Sequence, residues 1–457
     1  MTSGSSTGVP QLEDTIVAIA TSIGRGALAL VRLSGPEAFE IARKHVLTWP
    51  TESRLSHLTT IQDRGESLDQ ALVTLFPGPN SFTGDDTVEI STHGGYLVPA
   101  SIVAALISSG ARQALPGEFT RRAVLNGKLD ILQAEAIGDL IDARSRAMQH
   151  AALGQLDGGL SRRLVNLRDG LIDLEALIAY DIDFPEEDDG PVSRERIEGA
   201  ARDLHGSIAS LLATATTGEL VREGAVVVIA GAPNVGKSSL FNALIGRSRA
   251  IVTEIPGTTR DALEAIIDSG KFPLRLVDTA GLREASDPIE RLGIEVSERY
   301  LGSAHVIIAC AEDEAGLSET MSTVEKWSNA PIVGVLTKSD LVSNRDEKSP
   351  EGVVSVSAET GTGLQQLLDA INLLLAGSHG EINADLPMLT SARHRQALTT
   401  ALNELGQFEQ AWREQKLPAP VASVHLRTAV YVLEELIGAV DVEDVLDRVF
   451  RTFCVGK

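Results

Sequence analysis

From Asp14 onward the spacing of apolar residues changes from one stretch of the chain to the next, and each change marks a new unit. Between Asp14 and about Gly127, short apolar runs such as Thr15–Ala20 and Ala27–Leu33 alternate with Gly/Pro turns, and an apolar stretch predicts a helix over Val98–Ser109. That texture is a mixed α/β domain. After Lys128, Leu153, Leu156, Leu160, Leu164, Leu167, Leu171, Leu174 and Leu177 recur every three or four residues, the period of an amphipathic helix whose stripe is bundle core. From Glu223 to about Ala376, β-branched runs (Ala225–Ala230, Leu274–Val277, His305–Ala311, Pro331–Leu336, Val353–Val356) alternate with helical stretches, which predicts a mostly parallel sheet with crossover helices. Helical periodicity then returns through Ser391–Arg413, Val421–Ile437 and Val442–Phe453, so the α/β unit interrupts a helical domain.

These patterns predict a multidomain α/β chain. Its parts are a leader over 1–12, an N-terminal α/β domain over 13–127, a helical domain split into 128–220 and 380–457, and an inserted α/β domain over 221–379. The leader MTSGSSTGVP is uncharged and carries no predicted function.

Composition narrows the choice of partner. The 457 residues carry 40 basic and 63 acidic side chains, a formal net charge of -23, so any nucleic-acid partner must be met by a local patch. The acidic stretch Asp181–Asp189, with six carboxylates in nine residues, reads as a solvated loop, with metal binding the weaker alternative. The two cysteines, Cys310 and Cys454, are far apart, which excludes a disulfide framework and zinc spacing and fits a reducing cytosolic compartment. The first charged residues, Glu13 and Asp14, are acidic, so the basic start of a secretion signal is missing. In the longest charge-free stretch, Ile90 to Ala111, the apolar part Leu97–Ile107 is too short to span a bilayer. The expectation is a cytoplasmic protein without membrane contact.

The chemistry is concentrated in the inserted domain. Gly231-Ala-Pro-Asn-Val-Gly236-Lys237-Ser238 matches the phosphate-binding pattern GxxxxGK[ST], follows a predicted strand and opens a predicted helix over Ser238–Gly246. There Asn234, Val235, Gly236 and Ser239 line the phosphates, Lys237 neutralises the β/γ charge and the Ser238 hydroxyl can ligate Mg²⁺. Pro256, Gly257, Thr258 and Thr259 offer a second Mg²⁺ ligand, and Asp278, Thr279, Ala280 and Gly281 follow a strand, as a metal-side carboxylate and γ-phosphate sensor should. Thr337, Lys338, Ser339 and Asp340 end a further strand, where the Asp340 carboxylate can accept both guanine N1–H and N2–H, a pairing adenine lacks. Ser357, Ala358 and Glu359 follow the next strand and suit a backbone contact to guanine O6.

Order and spacing are those of a GTPase, with two departures. Thr337 stands where asparagine is usual, which weakens one hydrogen bond but leaves the specificity carboxylate. Leu282 stands where a Ras-like GTPase has its water-orienting glutamine, so transition-state charge must be met otherwise. Glu290 for the water and a bound cation for the phosphates are the candidates, Asn234 being a suitable oxygen ligand for a monovalent cation. On spacing alone Glu290 reads first as a solvated helix carboxylate.

Further segments carry a resemblance: Phe76-Pro-Gly-Pro-Asn-Ser-Phe-Thr-Gly84, His93-Gly-Gly95, Pro116-Gly-Glu-Phe119, Leu129-Asp-Ile-Leu-Gln-Ala-Glu-Ala136, Asp183-Phe-Pro-Glu186, Asp278-Thr-Ala-Gly-Leu-Arg-Glu-Ala285 and Phe453-Cys-Val-Gly-Lys457. General GTPases lack them, and from Asp14 onward the chain resembles the tRNA modification GTPase family MnmE, also called TrmE. The resemblance implies an α+β N-terminal domain that dimerises and binds a formyl- or methylene-tetrahydrofolate, a helical domain, and a P-loop GTPase domain inserted into it. It also implies work with MnmG, an FAD-carrying flavoprotein, to install an aminomethyl or carboxymethylaminomethyl group at C5 of the wobble uridine of certain tRNAs. GTP hydrolysis would be stimulated by K⁺ and coupled to pairing of GTPase domains.

Carried over to this chain, the resemblance implies K⁺ ligation by Asn234, Thr253, Thr258 and the Ile255 carbonyl, with Glu254 in the same nucleotide-wrapping loop, and Mg²⁺ ligation by Ser238 and Thr259. Glu290 would position water, with Lys237 and Asn234 in the catalytic set. Arg283 is a further catalytic candidate, and Cys454 stands either near the one-carbon unit or as packing alone. Arg32, Glu89, Lys128 and Lys457 match the folate-contacting positions: a carboxylate can pair with the pterin's N–H edge, and Arg and Lys can meet the anionic glutamyl tail. His93 reads either as a base or as a turn residue beside Gly94-Gly95. Cys310 reads as core. The rival function is a ribosome-assembly GTPase switch, disfavoured because the appended domains are not basic RNA-binding modules.

Overall fold

The computed structural model describes residues 14–183, 193–247, 263–278, 299–341, 352–379, 387–414, 419–438, 453 and 455–456. The expected helix over Val442–Phe453 and most of the acidic stretch lie outside them, and Asp181–Asp183 end a helix. The chain forms two compact units, Met1–Gly138 with Ile437–Lys457, and Asp139–Leu436.

In the first unit β1 (Ile16–Ile19), β2 (Leu28–Ser34), α1 (Ala38–Arg43), β3 (His57–Asp63), β4 (Glu66–Phe76), β5 (Thr87–His93), α2 (Leu97–Ser108), β6 (Arg112–Gln113) and α3 (Glu118–Leu125) follow one another. The strands form a sheet in the order β3-β4-β5-β2-β1-β6, antiparallel throughout except for the parallel β1–β6 pair. Alternation does the sorting: Val31, Leu33, Val73, Leu75, Val88 and Ile90 point to one face and bury against Ile41, Ile102 and Leu106 from α1 and α2. The opposite face receives the alternate residues, and across it Thr74, Glu89, Arg32 and Ala18 stand directly abreast on β4, β5, β2 and β1. Phe119 of α3 packs on Ile16 and Ala18 there.

The end of the chain returns to this sheet. Val455 bridges to Pro116, and Gly456 lies buried at φ 100°, so close to β1 that a Cβ would sit 2.4 Å from the Ile19 carbonyl oxygen. Only glycine fits a positive φ beside another backbone at that distance.

The second unit is built from α4 (Ile131–Asp142, which crosses the division between units), α5 (Arg146–Leu156), α6 (Gly159–Asp183), α7 (Arg194–Leu212), α8 (Ala215–Glu223), β7 (Ala225–Gly231), α9 (Lys237–Arg247), β8 (Leu263–Asp268), β9 (Pro273–Asp278), β10 (Val306–Ala311), α10 (Glu314–Val324), β11 (Ile332–Leu336), β12 (Val353–Ser355), α11 (Leu364–His379), α12 (Ala392–Glu414) and α13 (Ala419–Ile437). The leucine stripe is core from Leu160 through Leu164, Leu167 and Leu171 to Leu174, as its period predicts. It is not one continuous helix: Gly158 at φ 77° separates α5 from α6, and Leu153 on the earlier helix is exposed. Ser145 caps α5 by accepting from the Met148 N–H, and Ser193 caps α7 by accepting from Arg196 N–H.

The inserted sheet runs β12-β11-β10-β7-β9-β8 and is parallel except at its edge, where β8 runs antiparallel to β9. β7, β10 and β11 are buried on both faces, which is why they read as continuous apolar runs rather than alternating ones. The chain leaves the helical layer at α8 and returns to it at residues 387–390, and the two crossings are stitched together. A Cβ at Gly218 would sit 2.0 Å from the Leu389 carbonyl oxygen, the Thr214 hydroxyl accepts from the Leu389 N–H at 3.1 Å, and Arg395 pairs with Glu219 at 3.1 Å. This is an α/β sheet inserted into a helical domain and preceded by an α+β domain.

A buried ion network anchors α3 in the first unit. Glu118 accepts from Arg112 at 2.7 and 3.1 Å, from Arg122 at 3.2 Å and from the Leu115 N–H at 2.8 Å, while Arg122 also donates to the Asp14 carbonyl at 2.6 Å. Burial alone would raise the Glu118 pKa, but the bonds from Arg112 and Leu115 outweigh it and hold the carboxyl below its ordinary value. A depressed carboxylate contributes stability above its unfolded pKa of 4.5 and loses it as the pH falls further. Glu118→Gln removes the closer of the two carboxylates that face the buried Arg122, leaving Asp85 at 3.9 Å, and is expected to lose about 3 kcal/mol at neutral pH. Urea unfolding followed across the acid range checks this; a variant as stable as the parent at pH 7 contradicts it.

Candidate functional site

β7 delivers the phosphate loop. At its end Gly231 adopts φ 154°, and a Cβ there would lie 2.4 Å from the Cys310 carbonyl oxygen on the neighbouring β10. The loop then passes through left-handed backbone at Asn234 (φ 65°) and Gly236 (φ 92°) before α9 starts at Lys237. Asparagine tolerates that conformation better than most side-chain-bearing residues. Lys237 is buried and its Nζ donates to the Ala232 carbonyl at 2.8 Å, so the amine lies folded across the loop. Cys310, fully buried on β10, has its thiol pushed up to about 12 by burial, which makes it a packing residue as expected.

The parallel pairings bring the carboxyl ends of five strands, β12, β11, β10, β7 and β9, to one edge. Ile229 on β7 lies opposite Asp278, the last residue of β9, and the buried Asp278 carboxylate accepts from the exposed Ser238 hydroxyl at 2.7 Å. Two hard oxygen donors at hydrogen-bonding distance fit Mg²⁺ chemistry, which favours carboxylate, hydroxyl and water oxygens. Beyond β11, Thr337 is buried, Lys338 takes φ 53°, and Asp340 is exposed at the start of a short helical turn. Thr337 donates its hydroxyl to the Val235 carbonyl at 2.6 Å, and Lys338 Nζ donates to the Asn234 carbonyl at 3.1 Å and pairs with Glu312. After β12, the Ser357 N–H donates to Thr362 O at 3.0 Å and its hydroxyl accepts from the Thr360 N–H at 3.2 Å. This tight loop needs Gly363, where a Cβ would meet the Ser355 carbonyl oxygen at 2.0 Å; Ala358 is half-buried and Glu359 exposed.

The structure therefore brings Asn234, Val235, Gly236, Lys237, Ser238 and Ser239 together with Asp278, Thr337–Asp340 and Ser357–Glu359 at the carboxyl edge of one sheet. Such an edge is where open α/β sheets bind ligands. Thr253, Glu254, Ile255, Pro256, Gly257, Thr258, Thr259, Thr279, Ala280, Gly281, Arg283 and Glu290 lie outside the described residues. No group of three or more His, Cys, Asp or Glu side chains able to hold a metal occurs among the described residues.

A second cluster lies on the first unit's sheet. Register places Arg32 opposite Glu89, and Arg32 donates to Glu89 Oε1 through Nε at 2.9 Å and Nη2 at 2.7 Å. The guanidinium also lies over the rings of Phe82 and Phe119, with centroid distances of 5.5 and 5.7 Å, so the pair is walled by aromatic faces. Lys128 donates to the Pro79 carbonyl at 3.0 Å, and Asn126 to the Thr83 carbonyl at 2.7 Å, which pins the loop carrying Phe82. Cys454 and Lys457 lie outside the described residues, although Gly456 rests on β1 of the same sheet. His93 is exposed at the end of β5, its Nδ1 2.7 Å from Asp69 Oδ1. Burial works against the charge on Asp69, but bonds from the Thr92 hydroxyl and His93 outweigh it and lower its pKa.

Sequence reasoning did not single out Phe82 and Phe119 beside Arg32, Lys338 bound to the loop at Asn234, or the Asp69–His93 contact. The first was within reach, because both phenylalanines stand inside segments that carried the resemblance. The others pair residues 104 and 24 positions apart and needed the fold.

Known proteins agree with this architecture. A model of the GTP-binding protein TrmE N-terminus matches residues 15–128, and a model of the MnmE helical domain matches residues 131–454. The tRNA modification GTPase MnmE of Moorella thermoacetica is 40% identical over 464 residues, an alignment covering 98% of this chain and 100% of that protein. That of Heliobacterium modesticaldum is 41% identical over 97% of this chain and 99% of its own length, and that of Akkermansia muciniphila 42% identical over the same shares. With two family models side by side across the chain and relatives this similar along their full length, the chain belongs to the MnmE (TrmE) family of tRNA modification GTPases.

Proposed function

We propose that this protein hydrolyses GTP to drive modification of tRNA, adding an aminomethyl or carboxymethylaminomethyl group at C5 of the wobble uridine together with an FAD-carrying flavoprotein of the MnmG kind. The observation that carries the GTPase half is the meeting of Ser238 and Asp278 at 2.7 Å on the sheet edge that also presents the exposed Asp340. Asp340 pairs with the guanine N1–H and N2–H, and a backbone N–H of the Ser357–Glu359 loop serves O6. The loop N–H groups and the start of α9 hold the phosphates, and Lys237 turns from Ala232 to the β/γ oxygens. Mg²⁺, when bound, neutralises charge on the phosphates, and Ser238, Asp278 and Thr259 are the residues of this chain that would hold it. Glu290 orients the attacking water, with Arg283 a further candidate.

K⁺, when bound, would add positive charge beside the phosphates. Asn234, Thr253, Thr258 and the Ile255 carbonyl are its ligands in this reading, which places a cation where other GTPases use an arginine. The left-handed turn at Asn234 supports it, because the side chain it carries there is exposed on the phosphate loop.

The folate-site reading rests on the Arg32–Glu89 pair between Phe82 and Phe119. A carboxylate held by guanidinium, between aromatic faces, suits a flat heterocycle with an N–H edge; Lys128 and Lys457 meet the anionic tail, and Cys454 stands near the one-carbon unit. The same face exposes Leu28, Leu58 and Leu72, at 68%, 64% and 43%, an apolar area that supports homodimerisation through this domain. The domain limits 13–127, 128–220, 221–379 and 380–457, preceded by a leader over 1–12, belong to this proposal. So does a cytoplasmic location, which suits the buried free thiol of Cys310. Among the described residues no helix is long and apolar enough to cross a membrane.

Replacing KCl with NaCl at equal ionic strength is expected to slow GTP hydrolysis at least about tenfold, the scale of a lost transition-state charge; equal rates contradict the cation assignment. Nucleoside mass spectrometry of bulk tRNA, from cells with and without the gene, tests the modification. Loss of the C5-aminomethyl-type wobble uridines is the expected result. Unchanged nucleosides together with unassembled ribosomal subunits would overturn it.

A further inference from the structure

Residue 337 departs from the usual GTPase pattern, and its surroundings give the departure a consequence. Thr337 directly follows β11 and is 3% exposed. Its N–H donates to the Ala311 carbonyl at 2.8 Å, and its Oγ1 lies 2.6 Å from the Val235 carbonyl oxygen and 3.2 Å from that of Ala311. A threonine hydroxyl has one proton to give. Both neighbours of Oγ1 are carbonyl acceptors, so the proton is committed between the phosphate loop and β10.

Guanine presents two kinds of edge. Its N1–H and N2–H are donors and suit the Asp340 carboxylate, whereas N7 and O6 are acceptors and need donors. An asparagine at 337 has two N–H groups and can satisfy a loop carbonyl and N7 together; threonine can satisfy only one acceptor. Lys338 makes the same choice, giving its amine to the Asn234 carbonyl and to Glu312. Residues 337 and 338 thus grip two adjacent carbonyls of the phosphate loop, at the turn where Asn234 takes φ 65°.

We propose that Thr337 is a positioning residue that clasps the guanine-specificity loop to the phosphate loop through Val235, and that its side chain leaves the purine N7 unread. The inference rests on the assignment of Asp340 to the base. Its consequence is tolerance of guanine nucleotides altered at N7, and the clasp, unlike core packing alone, makes nucleotide affinity depend on the hydroxyl at 337.

The test is equilibrium binding of GDP and 7-deaza-GDP, in which carbon replaces N7, to the full chain. The wild-type protein is expected to bind the two within about twofold, and Thr337→Asn to prefer GDP by about tenfold, the worth of one hydrogen bond to an otherwise unpaired acceptor. Thr337→Val should weaken both nucleotides alike, by about tenfold, because it leaves the Val235 carbonyl without this donor, and Thr337→Ser should retain the affinity that Thr337→Val loses. Wild-type preference for GDP of tenfold or more overturns the proposal, as does a Thr337→Asn protein that does not discriminate. Asp340→Asn is the separate control on the base assignment: it should exchange preference from GDP to xanthosine diphosphate, whose C2 carbonyl accepts from the new amide. If that exchange fails, the base assignment itself is wrong. If it succeeds while the wild type rejects 7-deaza-GDP, only the N7 inference falls.

Discussion

The nucleotide site depends on one close approach, where Gly231 at the end of β7 passes the Cys310 carbonyl oxygen on β10. A Cβ at 231 would be 2.4 Å from that oxygen, so the parallel β7–β10 pairing can run to the very end of the strand only with glycine there. From that point the loop takes its left-handed steps at Asn234 and Gly236 and enters α9 with Lys237 and Ser238 already directed. On the other side of β7, the parallel register with β9 brings Asp278 opposite Ile229 and within reach of Ser238. Thr337 and Lys338 then close the loop from β11. The central strand is thus the reference from which phosphate, metal and base contacts are all measured, and its burial on both faces makes that reference rigid.

The first unit uses register for the same purpose. Arg32 and Glu89 meet because β2 and β5 pair without a bulge at that point, and a slip of one residue would send both into the apolar layer under α1 and α2. Phe82 and Phe119 wall the pair from a loop and a helix, and Lys128 and Asn126 at the end of α3 hold that loop in place. The chain terminus joins the same unit through Val455 and Gly456.

Much of this was legible before any fold was known. The strands of the inserted sheet read clearly because doubly buried strands make continuous apolar runs, and the phosphate loop read clearly because glycine at 231 and 236 answers a backbone need that no other residue meets. The leucine stripe named the helical core but not its break, because Gly158 interrupts the helix without interrupting the period. The antiparallel β8 was hidden as well: strand direction is set by pairing across the sheet, and the pattern within one strand does not record it. Thr337 read as a weakened base contact, whereas its hydroxyl bonds the loop at Val235, a partner 102 positions away.

The central claim is that backbone approach at Gly231 sets the nucleotide site. Calorimetric titration of GDP into Gly231→Ala, with circular dichroism to confirm a folded chain, tests it most directly. The account predicts binding weakened by about ten- to hundredfold, the affinity equivalent of the 1–3 kcal/mol that overpacking costs. Wild-type affinity in a folded Gly231→Ala protein would contradict it.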